Sequence, residues 1–116
     1  MKPSEWIWFD GEWVKWAEAT VHVSVHALHY GSSVFEGVRA YDTPRGPAAF
    51  RLADHTRRLW DSARLLRLDL APWNEDQINE ACLELIRRNG HKSCYLRPIA
   101  FRGSGSLGVN GQELPT

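Results

Sequence analysis

The sequence predicts an α+β fold: an antiparallel-rich sheet with two helices packed on one face. Three observations point there. Asp10–Gly11 gives a hairpin signal between aromatic runs, two helical stripes follow one another between Leu52 and Asn89, and strand character returns at Tyr95–Phe101. The order of strands, helix, helix, strand argues against an alternating parallel fold, which would need a helix between successive strands. At 116 residues the chain hides roughly two-thirds of its extended surface on folding, enough for one core and too little for two.

The first element is a hairpin. Trp6-Ile7-Trp8-Phe9 and Glu12-Trp13-Val14-Lys15-Trp16 flank Asp10–Gly11, a dipeptide suited to the positive backbone angles of a tight turn. Val21-His22-Val23 reads as a short extended stretch, and His26 to Phe35 as a loop or short helix, because its glycine and small polar residues break any period. A second hairpin is expected from Gly37–Tyr41 and Ala48–Arg51 across a longer connection at Asp42–Pro47. Leu52, His55, Leu59, Ala63 and Leu66 fall on one face of a helix, and Pro72 closes that region. Asn74 with Gln77 forms a capping signal before the stripe Ile78, Ala81, Cys82, Leu85 and Ile86, which Asn89–Gly90 stops. Tyr95–Phe101 is expected as one final strand, with Pro98 where no ladder hydrogen bond is donated. Beyond residue 102 four glycines fall within nine residues, Gly103, Gly105, Gly108 and Gly111, so residues 103–116 are expected to form a linker or substrate loop rather than a packed element.

Composition narrows the function. Fourteen basic and fourteen acidic side chains cancel, leaving no long-range field to recruit nucleic acid or an anionic membrane. No apolar run approaches the ~18 residues of a bilayer span, and the opening Met1–Trp6 has no signal-peptide core, so a cytoplasmic location is expected. Cys82 and Cys94 lack neighbours at metal-ligand spacing and are expected as reduced thiols. His26 and His29 stand three apart, but no carboxylate or thiol cluster completes a metal site around them. Gly103-Ser104-Gly105-Ser106-Leu107-Gly108 has the spacing of a dinucleotide fingerprint, yet too few residues follow for the helix that binds the pyrophosphate. Ser32 and Ser33 lie outside a nucleophile elbow.

Arginine outnumbers lysine eleven to three, and planar guanidinium groups suit capture of phosphate or carboxylate. Three arginines stand apart from exposed helix faces. Arg39 lies in a strand beside Tyr41, Arg97 follows Tyr95 by two residues, and Arg58 adjoins the apolar stripe at Leu59. Side chains two apart on a strand project to the same side, so Tyr95 and Arg97 form either a carboxylate-holding pair or an ordinary packing pair.

The stretches His26-Ala27-Leu28-His29-Tyr30-Gly31, Ser33-Val34-Phe35-Glu36-Gly37-Val38-Arg39, Phe50-Arg51-Leu52 through Arg58-Leu59, Tyr95-Leu96-Arg97-Pro98 and Leu107-Gly108-Val109-Asn110 together resemble the N-terminal region of branched-chain amino-acid aminotransferases. These are class IV, fold-type IV pyridoxal-phosphate enzymes, and the resemblance covers their small domain. It implies that residues 1–102 form that small domain, that 103–116 form the substrate loop and interdomain linker, and that the large C-terminal domain is absent from this sequence.

By the same resemblance Arg58 binds the cofactor phosphate, Tyr30, Phe35, Tyr95, Arg97 and Val109 line the substrate pocket, and Arg39 supports it. Tyr30 and Val109 correspond to residues that reach a neighbouring subunit, implying a homodimer or higher homo-oligomer. The implied reaction transfers an amino group from leucine, isoleucine or valine to 2-oxoglutarate. In the family a lysine holds pyridoxal 5'-phosphate covalently and shuttles the proton. Lys2, Lys15 and Lys92 match no such motif, so no catalytic residue and no metal ligand is assigned here. The chain alone is expected to be inactive and to bind the cofactor weakly or not at all. The competing readings are another class IV enzyme, a D-amino-acid aminotransferase or aminodeoxychorismate lyase, and a non-catalytic binding module that keeps the small-domain fold.

Overall fold

The computed structural model describes residues 3–103; the expected glycine-rich loop beyond Gly103, with Val109, lies outside them. Strands β1 (Trp6–Phe9) and β2 (Glu12–Lys15) form the first hairpin, with Trp8 opposite Trp13. Asp10 and Gly11 turn it with φ of 49° and 90°, the angles the dipeptide is suited to. A Cβ on Gly11 would also come within 2.7 Å of the Trp73 ring, so close packing reinforces the backbone demand. Asn89, at the end of a later helix, uses its side-chain amide like a paired strand: Trp6 N–H donates to Oδ1 at 2.8 Å and Nδ2 donates to the Trp6 carbonyl at 3.1 Å.

Helix α1 (His26–Tyr30) ends at Gly31 in the left-handed region. Strands β3 (Ser33–Phe35), β4 (Val38–Thr43) and β5 (Gly46–Ala49) follow, then helices α2 (Leu52–Leu65) and α3 (Glu75–Asn89), and strands β6 (Cys94–Leu96) and β7 (Ile99–Phe101). The four described pairings are antiparallel, but they fall into three sheets, β1-β2, β3-β7 and β5-β4-β6, rather than the single expected sheet. Three local expectations also change. Val21–Val23 is not a strand, the second hairpin closes across only Pro44 and Arg45, and Ser33–Phe35 is a strand rather than loop or helix.

The expected final strand is present as two, broken at Arg97–Pro98. Its register explains the break. Phe35 faces Ile99 and Val38 faces Leu96, so one register runs through and sets Glu36 and Gly37 opposite Pro98 and Arg97. Glu36 N–H donates to the Pro98 carbonyl at 2.9 Å, but proline has no N–H to return and the ladder is interrupted.

The strands also sort their side chains. Val38, Ala40 and Leu96 point inward and, with Leu52, Cys82 and Ile86, make the core, while Arg39, Tyr41 and Tyr95 point outward. Helix α3 has the expected capping box, Asn74 Oδ1 accepting from Gln77 N–H at 2.8 Å, and stops at Gly90 in the left-handed region. In α2 the buried positions are Leu52, Thr56, Leu59 and Ala63. Thr56 thus replaces His55 on the expected stripe, its hydroxyl satisfied by the Asn79 side chain, and Leu66 stands past the helix end, exposed.

Two substitutions test these assignments. Asn74→Ala removes the cap and is expected to lower unfolding free energy by about 1 kcal/mol in urea titrations. Gly37 sits under the Tyr95 hydroxyl, where a Cβ would collide with that oxygen. Gly37→Ala is therefore expected to displace the Tyr95 ring and move its resonances at little cost in stability, because that half-exposed ring can turn aside; unmoved ring resonances would contradict the contact.

Candidate functional site

The sheet alternation that buries Val38 and Leu96 puts Phe35, Gly37, Arg39, Tyr95 and Arg97 on the opposite, outward side of the interrupted ladder. At Gly37 the missing side chain makes room for the Tyr95 phenol. Arg97 Nη2 donates to the Tyr95 hydroxyl at 2.9 Å, and the Arg97 guanidinium lies 4.2 Å from the centre of the Phe35 ring and 5.3 Å from that of Tyr95. These side chains form a cation set between two aromatic rings, with Phe35 and Tyr95 each at least half exposed. Arg39 stands opposite Tyr95 in the register and is exposed. The arrangement offers apolar ring faces and a positive group within one patch, the combination needed to accept either an apolar side chain or a carboxylate.

On the helix side of the same ladder, Glu36 turns inward and is 5% exposed. Its carboxylate accepts from Arg58 Nε at 2.8 Å and Arg58 Nη2 at 2.9 Å, and it lies 2.8 Å from Nδ1 of His55. An ionised carboxylate only accepts, so the network assigns the His55 proton to Nδ1. The hydrogen bonds from Arg58 hold the Glu36 carboxyl below its ordinary range; burial opposes this, and the bond from His55 adds to it. The same contact keeps Arg58 more firmly protonated.

Phe35, Tyr95 and Arg97 are thus brought together, with Arg39 beside them. Arg58 joins that group only through Glu36, the residue between Phe35 and Gly37. Tyr30 stands elsewhere, exposed on α1 with its ring 4.5 Å from His26, whose Nδ1 lies 2.6 Å from the Ser32 hydroxyl. Val109 is outside the described residues.

A cavity of about 510 Å³ lies between the first hairpin and the helices, walled by Trp6, Trp8, Leu59, Trp73, Leu85 and Ile86. Tyr95 and Arg97 border it, whereas Arg58, Phe35, Arg39 and Tyr30 do not. Cys82 and Cys94 are free, and burial pushes the Cys82 thiol up to about 11. Among the described residues no cluster of metal-ligating side chains occurs, and no helix is long and apolar enough to cross a membrane.

Sequence reasoning assigned no role to Glu36, Gly37 or His55. The available signal was phase: Glu36 alternates with Val38 and Ala40, which places its carboxylate on the buried side. Because the native state lowers the Glu36 pKa relative to the unfolded chain, its contribution is complete above the ordinary value of 4.5 and is lost as pH falls through the depressed folded value. Melting temperatures taken from neutral pH down to about pH 3 should therefore fall below that point. Glu36→Gln should be less stable at neutral pH and show a shallower decline over the same interval. Parallel curves for the two proteins would contradict the assignment.

Known proteins share this sequence and backbone fold. The branched-chain-amino-acid aminotransferase of Pseudomonas aeruginosa is 52% identical over 108 residues, 93% of this chain and 35% of that protein. The T.th. branched-chain amino acid aminotransferase with pyridoxamine 5'-phosphate superposes with a TM-score of 0.91 at 46% identity, covering 99% of this chain and 38% of that one. The same enzyme complexed with N-(5'-phosphopyridoxyl)-L-glutamate gives 0.90 at 48% identity, covering 97% and 37%. The chain therefore spans little more than a third of the length of these relatives. A family model for class IV amino-transferases matches residues 33–116, which contain both the aromatic–arginine patch and the Glu36–Arg58 pair, and the chain belongs to that family.

Proposed function

We propose that this chain forms the substrate-facing wall and phosphate anchor of a branched-chain amino-acid aminotransferase, transferring the amino group of leucine, isoleucine or valine to 2-oxoglutarate. The observation that carries this reading is the Phe35–Arg97–Tyr95 set. One pocket in such an enzyme must accept a branched hydrocarbon in one half-reaction and a second carboxylate in the other. Ring faces serve the first, and the Arg97 guanidinium, held by the Tyr95 hydroxyl, serves the second. Arg39 supports the patch with its charge. The relative with a phosphopyridoxyl-glutamate adduct supports this use.

The chain's donors fit the phosphate end of pyridoxal 5'-phosphate: Arg58 is well exposed and keeps donors beyond the two that Glu36 takes. When bound, the cofactor would supply the carbonyl that takes up the amino group and a ring that accepts electrons from the substrate α-carbon. Arg58 would bind and orient its phosphate, while Phe35 and Tyr95 would exclude water from the substrate side chain. Lys15 lies on the first hairpin, 3.3 Å from Glu5 and over the Trp6 ring.

We place the covalent lysine in the large domain that the relatives' greater length provides for. We assign residues 1–102 to the small domain, 103–116 to the substrate loop and interdomain linker, and Val109 to substrate binding. Tyr30, exposed on α1, fits a role at the pocket of a second subunit in a cytoplasmic homodimer or higher homo-oligomer.

Two assays test the proposal. With L-leucine, 2-oxoglutarate and pyridoxal 5'-phosphate, this chain alone should form no glutamate; robust turnover would refute the placement of the lysine. Joined to the remaining domain of the Pseudomonas aeruginosa relative, it should use L-leucine and reject D-alanine. In that protein Arg97→Ala should raise KM for 2-oxoglutarate by about 10–100-fold, the loss of a charge-assisted hydrogen bond, with little change for leucine. Equal losses for both substrates would remove Arg97 from carboxylate recognition.

A further inference from the structure

The Arg58 guanidinium is a rigid planar fork. Its Nε and Nη2 groups form one edge, and both donate to the two oxygens of Glu36 at 2.8 and 2.9 Å. A plane fixed along one edge has its other edge fixed too, so the edge formed by the two Nη groups is set in direction although the side chain is 69% exposed. Unclamped, so exposed an arginine would retain most of its rotamer freedom.

The fixed half of this clamp is well secured. Glu36 is 5% exposed, its N–H is bonded to the Pro98 carbonyl, and its Oε1 is shared with His55 Nδ1. Its neighbour Gly37 is pressed beneath the Tyr95 hydroxyl. Electrostatics alone would not place a carboxylate here, because a negative charge beside an anion-binding guanidinium weakens attraction for the anion. Geometry accounts for it.

We propose that Glu36 is a positioning residue that presents the Nη edge of Arg58 to the phosphate group of a phosphate ester, a role that rests on the reading of Arg58 as phosphate anchor. The residue acts through Arg58 and does not itself touch the ligand. His55 completes the carboxylate's partners from one turn earlier on α2.

The experiment is an NMR titration with pyridoxal 5'-phosphate of this chain joined to the remaining domain of the Pseudomonas aeruginosa relative, comparing the unmodified protein with Glu36→Gln, Glu36→Asp and Arg58→Ala. In the unmodified joined protein the Arg58 Nε–H signal should be resolved, slow to exchange, and shifted by the ligand. Glu36→Gln should lose the slow exchange and bind about tenfold more weakly, although removing a negative charge would by itself tighten binding. Glu36→Asp keeps the charge but shortens the reach and should weaken binding likewise.

Equal or tighter binding by Glu36→Gln, with the β4 and β6 amide signals intact, overturns the positioning role and leaves the anchor reading standing. Collapse of those amide signals in both Glu36 variants makes Glu36 a residue of the fold and overturns it as well. Unchanged affinity in Arg58→Ala, or no ligand-induced shift at Arg58 in the unmodified joined protein, defeats the anchor reading and the inference with it.

Discussion

A carboxylate buried without partners would be too unfavourable to keep, and Glu36 is kept because three donors from α2 meet it. That requirement ties the bend between β3 and β4 to one face of α2 at a single register. The neighbours of Glu36 in sequence are thereby placed as well: Phe35 and Gly37 must turn the other way, toward Tyr95 and Arg97. The inward ion pair and the outward aromatic patch are two consequences of the same strand alternation.

Proline sets where this happens. An uninterrupted ladder would pair Glu36 and Gly37 with Pro98 and Arg97 on both sides, but Pro98 accepts a hydrogen bond and returns none. The interruption falls at Arg97, whose guanidinium lies against the Phe35 and Tyr95 rings. Gly37, across from it, admits the phenol because it has no Cβ to exclude it.

Much of the architecture could be read from local chemistry. Asn74 with Gln77, Asp10–Gly11 and the stripe from Ile78 to Ile86 each carry their own geometric demand, and each forms as expected. The separation of β3-β7 from β5-β4-β6 was not legible, because it depends on a missing proline donor meeting a particular residue distant in sequence. Ser33–Phe35 is a strand only because β7 pairs with it, which its short mixed composition does not announce. Within the site, the Tyr95–Arg97 contact follows from their spacing of two, and the residues of the motif around Phe35 pointed to the patch. His55 was misplaced onto the apolar stripe because periodicity cannot separate it from Thr56; the partners of the two side chains, Glu36 and Asn79, decide which turns inward. The cation–aromatic contact with Phe35 crosses between strands and needed the register.

The amide of Asn89 has a consequence beyond joining the first hairpin to α3. It occupies both the N–H and the carbonyl that Trp6 would otherwise offer at the margin of a two-stranded ribbon. An open margin rich in tryptophan and isoleucine is a template on which another extended chain can grow. At Trp6 that template is already filled by a side chain from the same molecule, so a tryptophan-dense ribbon can be kept without inviting fibril-like stacking at that point.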